Sequence, residues 1–302
     1  MSRRTNPRIS LTNLTKNYGK SRGIRDVSFE VFPGEVFGFL GPNGAGKTTT
    51  IRTLMGLIKA TSGSASILGM NALESSPELR KRIGYLPGVF ATYSNYTALQ
   101  FLRFVARMRN VECDDLIFNY AERLRLDLHR HIHDLSKGNR QKVGVIYAFM
   151  HKPDVLFLDE PTSGLDPLVQ REFERILNEA QARGASIILS SHVLSEVENL
   201  ADRIAIINEG EIVVVEHIST LKEQAVRRID LYFESAINAN SFAGVAGLTE
   251  IVVDGEVAQC TVTGSERELL RAAVNHGVMT VHTHEPSLDE IFLTLVKSSH
   301  PQ

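Results

Sequence analysis

Near the start of the chain, "RISLTNLTKNY" and "IRDVSFEV" alternate apolar and polar residues, the period of half-buried strands, with "GKSRG" as a turn signal between them. An antiparallel entry sheet is predicted there. "EVFGFL" is a continuous apolar run that ends at a glycine-rich loop, and "KTTTIRTLMGLI" behind it places Ile51, Leu54, Met55 and Ile58 at helical spacing. Further on, "DVLFLD" and "ASIILSS" are unbroken apolar runs, as expected of strands covered on both faces of a mostly parallel sheet. Between them "LVQREFERILNEAQARG" has a helical pattern that stops at Gly184. The pattern predicts an α/β core.

Two stretches depart from strand–helix alternation. Thr97 to Asp127 has no strand pattern, and "TALQFLRFVARMR" and "LIFNYAERLRLDL" are both amphipathic, which predicts a helical insertion over about residues 88–140. Its Phe101, Phe104, Val105 and Met108 stripe reads as ordinary core. After "RIAIINEGEIVVVE", a hairpin turning at Asn208, Glu209 and Gly210, the chain crosses the polar, basic "HISTLKEQAVRR" and changes character. The strand-like "IDLYFE", "TEIVVDG", "VAQCTVTG" and "VMTVHT", the helical "SERELLRAAVNHG" and a final helix in "SLDEIFLTLVK" predict a small α+β domain. The expected division is 1–228 and 229–302.

Composition narrows the classes. At 302 residues the chain is long enough for a large and a small domain. With 33 Lys and Arg against 35 Asp and Glu there is no global basic field, so nucleic acid is not expected as a partner and anion recognition has to be local. Cys113 and Cys260 form no ligand pattern, which fits a reducing compartment. No apolar run nears the roughly 18 residues of a membrane span, and "MSRRTNPRIS" lacks a signal-peptide core, so a cytoplasmic protein is expected. Arg3, Arg4 and Arg8 read as a solvated tail rather than a lipid contact. The alternating His129, His131 and His133 of "HRHIH" could bind metal, but a solvated loop is favoured because no further ligand type stands nearby.

The sharpest chemical signal is "GPNGAGKTTT", which matches G-x-x-x-x-G-K-[ST] and stands after a strand and at the head of a helix. Gly41, Pro42, Asn43, Gly44, Ala45, Gly46, Lys47, Thr48 and Thr49 are the candidate phosphate-binding residues. Backbone N–H groups converge on phosphate, Lys47 reaches the β- and γ-phosphates, and Thr48 can hold Mg²⁺. Downstream, the apolar strand of "VLFLDE" delivers Asp159 at its C-terminal end, where it can order Mg²⁺ through water. Glu160 is suited to take a proton from an attacking water.

In this order and spacing, "GPNGAGKTT", "LSKGNRQK", "LFLDEP", "SGLD" and "SSH" resemble the ATP-binding subunit of an ABC transporter over about the first 220 residues. The resemblance implies a P-loop NTPase core with an antiparallel β subdomain and a helical insertion, and a separate integral-membrane permease as partner. It also implies a head-to-tail homodimer that sandwiches ATP, held on the cytoplasmic face of the membrane through the permease. By that likeness Ser136 and Gly138 bind the γ-phosphate of ATP held by the facing subunit, although Ser136 taken alone reads as a helix N-cap. Tyr18 is implied as the adenine-stacking aromatic, Asp166 as a dimer-contacting acid, and His192 as a γ-phosphate sensor working with Glu160. Their plain readings are a strand-edge aromatic, a turn former before Pro167 and a helix-cap histidine.

Two departures stand out. Gly88 of "GYLPG" occupies the position where the family usually has a Mg²⁺-binding glutamine, and Lys137 and Asn139 replace the commoner Gly and Gln of the signature. The variant signature, "YLPG" and the ending "EPSLDEIFLTLV" are similar to the ATPases of drug, antibiotic and polysaccharide exporters, the daunorubicin-resistance type in particular. The alternative is a soluble ABC ATPase acting on ribosomes or DNA. It is disfavoured by the single ATPase module and by the lack of sustained heptads and Cys ligand sets. A non-catalytic regulator would lack Glu160 or His192, and a GTPase would carry an NKxD-type motif.

Overall fold

In a computed structural model the residues described are 6–19, 21–74, 76–90, 95–224 and 227–284, with 288, 290 and 291 beyond them. The chain forms two compact units, 1–215 and 216–302. The first opens with β1 (Ile9–Tyr18), β2 (Ser21–Val31), β3 (Val36–Leu40), α1 (Lys47–Leu54), β4 (Ser62–Ile67), β5 (Met70–Asn71), α2 (Pro77–Lys81) and β6 (Ile83–Leu86). It continues with α3 (Ala98–Arg109), α4 (Asp114–Arg123), α5 (Lys137–Phe149), β7 (Val155–Asp159), α6 (Pro167–Ala182), β8 (Ser186–Ser191), α7 (Leu194–Leu200), β9 (Arg203–Asn208) and β10 (Glu211–His217).

The entry sheet has the strand order β2-β1-β4-β5 and is antiparallel. The second sheet runs β10-β9-β3-β8-β7-β6, parallel from β9 to β6, with β10 returning along β9 through Glu209 and Gly210, both at positive φ. Every residue of β3, β7 and β8 is buried, which is why these strands read as unbroken apolar runs. Their inner faces, with Ile51 and Leu54 of α1, join one core that reaches Ile9, Leu14 and Val31 of the entry sheet. Helix α1 stops at Leu54, short of the predicted Ile58, because the chain turns at the left-handed Gly56 (φ 64°).

The predicted insertion contains α3 and α4. Thr97 caps α3 by accepting from Gln100 N, while the Gln100 side chain accepts from Thr97 N, a reciprocal cap typically worth about 1 kcal/mol. The expected core stripe is only partly core: Phe101 is buried, but Phe104 lies at the surface and Met108 is 70% exposed. The buried side of α3 is instead Ala98, Leu99, Phe101, Leu102 and Ala106. Arg123 of α4 pairs with Glu172 (2.6 Å) and Glu179 (2.8 Å) of α6 and so ties the insertion to the core. Arg8 is no loose tail either, since it donates to the carbonyls of Asp154 (3.2 Å) and Gly184 (2.8 Å); Arg3 and Arg4 lie outside the described residues. His129, His131 and His133 are exposed, and among the described residues no group of three or more His, Cys, Asp and Glu is arranged to hold a metal.

The second unit comprises α8 (Ile218–Gln224), β11 (Arg227–Phe233), β12 (Leu248–Asp254), β13 (Val257–Val262), α9 (Arg267–Asn275) and β14 (Val278–His284). Its sheet, ordered β12-β13-β11-β14, is antiparallel. Alternate residues Ile229, Leu231 and Phe233 of β11 and Ala258, Cys260 and Val262 of β13 pack with Leu269 and Ala273 of α9 into a separate core. The basic stretch after His217 is a helix rather than a plain linker, with Ile218 and Leu221 buried. Of the predicted final helix only Leu288, Glu290 and Ile291 are described, all helical. Cys113 and Cys260 are buried and free. No helix among the described residues is long and apolar enough to cross a membrane.

Candidate functional site

The C-terminal ends of β3, β6, β7 and β8 carry the site, as open parallel sheets require. The loop after β3 bends through Gly44 (φ 81°) and Gly46 (φ 117°) before α1. At Gly46 a Cβ would stand 2.7 Å from Ile24 Cγ2, so both backbone angle and space demand glycine. The loop closes on Lys47, whose Nζ donates to the carbonyls of Gly41 (2.6 Å) and Pro42 (3.3 Å). Burial pushes the Lys47 ammonium below its ordinary pKa, and the charges of Glu160 and Asp159 act against that shift.

Asp159 is the hub. It is 3% exposed; one carboxylate oxygen accepts from Thr48 Oγ1 (2.8 Å) and the other from Ser190 Oγ (2.5 Å). A hydroxyl beside a buried carboxylate, next to a phosphate loop, is the oxygen donor set that suits a hard divalent cation. Glu160 follows in the left-handed region (φ 52°), a conformation that costs a non-glycine residue about 1–3 kcal/mol and persists only where surroundings impose it. Its amide donates to the Ser190 carbonyl (3.0 Å), and its carboxylate meets His192 Nδ1 at 2.7 Å. A carboxylate base held by a partner histidine is an arrangement that can aim a water at phosphorus.

The bend that carries His192 is itself braced. Ser191 Oγ and Thr162 Oγ1 both donate to Glu196, at 3.1 and 2.7 Å, and Val193 N donates to Ser191 Oγ (3.0 Å). Ser190, Thr162 and Glu196 were not singled out by sequence reasoning. Ser190 entered only as part of "SSH" at the end of an apolar strand, and Thr162 and Glu196 carried no signal of their own.

On α5, Ser136 caps the helix by accepting from Asn139 N (3.2 Å), and Gly138 packs so closely that a Cβ would stand 2.4 Å from the Gly164 carbonyl oxygen. The described contacts of Ser136 and Gly138 are thus to α5 and to the loop at Gly164. Asp166 caps α6 through Leu168 N and Val169 N, both at 3.1 Å, and Tyr18 is an exposed aromatic at the end of β1 with Lys16 above its ring. Of the expected site residues, Lys47, Thr48, Asp159, Glu160 and His192 converge in one place.

Residues 24–163 match the family described as ABC transporter. Over 300 residues the chain is 34% identical to the bacitracin transport ATP-binding protein BcrA of Bacillus licheniformis, an alignment spanning 95% of this chain and 97% of that protein. The chain belongs to the ABC transporter ATP-binding subunits. It is an ATPase of that class. It is also 32% identical, over 94% of its length and 92% of the relative's, to a fluoroquinolones export ATP-binding protein of Mycobacterium tuberculosis. Among solved structures, an ATP-binding subunit of an ABC transporter superposes with a TM-score of 0.67 at 30% identity, covering 72% of this chain and 92% of that one. A dimeric bacterial ABC transporter cassette shares the fold with a TM-score of 0.64 at 22% identity, over 70% of this chain and 98% of that one.

In this ABC subunit the departure at Gly88 falls beside the hub: a Cβ there would stand 3.5 Å from Asp159 Oδ2, an ordinary contact. Neither crowding nor a left-handed backbone requires glycine at that position.

Proposed function

We propose that this ABC subunit is the ATP-hydrolysing motor of an exporter of drugs, antibiotics or other amphiphilic cargo, powering a separate integral-membrane permease from the cytoplasmic face of the membrane. The observation that carries the hydrolytic role is the Glu160–His192 pair at 2.7 Å beside the Asp159–Thr48 contact. The export role rests on the bacitracin transport and fluoroquinolones export proteins, which align with nearly the whole chain. No finding favours the ribosome or DNA alternative.

In this reading Gly41 to Thr49 cradle the ATP phosphates, with Lys47 neutralising charge on the β- and γ-oxygens, and Tyr18 stacks on adenine. Thr48 and Asp159 would hold Mg²⁺, which would supply charge stabilisation to the transferring phosphoryl group. Glu160 takes the proton of the attacking water, and His192 holds the Glu160 carboxylate in line and senses the γ-phosphate. Ser136, Gly138 and Asp166 belong to the neighbouring half-site, so two copies pair head to tail and enclose two ATP molecules. A 1–228 cassette performs this chemistry, and 229–302 is an accessory domain.

Purification from membranes in mild detergent tests the reading. An integral membrane protein should co-purify with the full chain, and ATPase activity should follow the complex. Recovery on ribosomes or DNA, with no membrane protein bound, would reject the export role.

A further inference from the structure

Beyond its Ser136 cap, α5 lies against the loop that carries Glu160, and three contacts join them. Lys137 Nζ meets Ser163 Oγ at 3.1 Å, Gly138 abuts the Gly164 carbonyl, and Gln141 donates from Nε2 to the carbonyls of Glu160 (3.2 Å) and Pro161 (2.9 Å). Residues 137 and 138 lie one turn from 141, so these contacts share a face of the helix. Gln141 is only 5% exposed, on the first turns of a helix where a polar side chain would ordinarily reach for water. Its burial is matched by those two carbonyls.

We propose that Gln141 is a positioning residue for Glu160, binding the backbone of the catalytic carboxylate to the helix whose N-terminus faces the second subunit. Glu160 sits at φ 52° with its amide donating to Ser190 O, and the Gln141 amide holds the carbonyl on the other side. Those two hydrogen bonds fix both peptide planes around Glu160 and hence the direction of its Cα–Cβ bond toward His192. Two N–H groups on one terminal nitrogen let the glutamine serve two successive carbonyls at once; a glutamate of the same length repels both when ionised and donates to only one when protonated. Because the contact is buried, water cannot replace it cheaply. The reach of this link to the facing subunit rests on the shared-site reading above. A γ-phosphate docking at Ser136 and Gly138 would shift α5, and Gln141 would carry that shift to Glu160.

The test uses the full chain with Gln141→Met, which keeps length without a donor, and Gln141→Glu, which keeps length and polarity. Both should lower kcat about ten- to hundredfold, as small misplacement of a reacting group does, with KM for ATP unchanged. Adding Gln141→Met to Glu160→Gln should cost no further turnover, because the residue it positions is already gone. The double variant should still form whatever ATP-dependent dimer Glu160→Gln forms. Wild-type kcat in either folded variant overturns the proposal, as does a fully additive loss in the double variant. Loss of the dimer on adding Gln141→Met would move its role to the subunit interface and also overturns it. If Glu160→Gln alone stays monomeric with ATP, the shared-site reading and the reach to the facing subunit fall, while the kcat comparison still decides the positioning of Glu160.

Discussion

The two candidate phosphate-binding loops of this chain, one after β3 and one at the head of α5, are built in different ways. The loop at Gly41–Thr48 is completed by residues from far along the sequence, with Thr48 bonded to Asp159 and Asp159 to Ser190. The loop at Ser136–Gly138 is capped locally, by Ser136 accepting from Asn139 N, and its distant contacts, Lys137 to Ser163 and Gly138 against Gly164, are with the single loop that follows β7. The first brings together Thr48, Asp159, Glu160 and His192, the candidate cation donors, base and histidine. The second has a helix start capped by Ser136, a closely packed Gly138, and Lys137, whose ammonium meets Ser163 Oγ. In the proposed reading one half is equipped for chemistry and the other for contact, so that a single subunit would carry halves of two different sites.

The sharpest break in that comparison is Glu160→Gln, which should preserve ATP affinity and lower turnover by about a hundredfold or more, measured as steady-state phosphate release. Wild-type turnover would remove Glu160 from the catalytic half. Next comes mixing Lys47→Ala chains with Ser136→Arg chains, each inactive alone. Random pairing makes half of the dimers mixed, and each mixed dimer restores one site of two, so about a quarter of wild-type ATPase activity should return. Verified mixed dimers with no activity would mean that the two loops do not meet, or that both sites must work together.

A smaller effect sharpens the metal side. Gly88→Gln starts from a Cβ in ordinary contact with Asp159, and if its amide reaches the cation side Mg²⁺ should bind up to about tenfold tighter by titration. Unchanged affinity would show that water already fills that position equally well. The smallest effect is expected from ending the chain after Arg228: ATP affinity should stay at the full-length value, because both loops lie upstream. Failure of the shortened chain to bind ATP would make the cassette depend on residues beyond that point.

Much of this protein was legible in the sequence, because the features involved are local. Unbroken apolar runs gave β3, β7 and β8; alternation gave the entry sheet and the small domain; and Gly46, Lys47 and Thr48 announce a phosphate loop wherever they follow a strand. Even the departure at Gly88 was visible as a missing side chain. Which polar groups meet was decided by the parallel sheet alone. Its order sets β7 beside β8, which puts Ser190 on Asp159 and His192 on Glu160, contacts spanning about thirty residues that no periodicity encodes. The same holds for the surface of α3, where an apolar stripe predicted core but the neighbouring α5 buries a face rotated from it, and for Arg8, whose partners lie near the far ends of β7 and α6. Gln141 shows the limit most clearly. In the sequence it is one more polar residue at a helix start, and only the packing of α5 against the loop after β7 removes water from its amide and gives it the Glu160 carbonyl to hold.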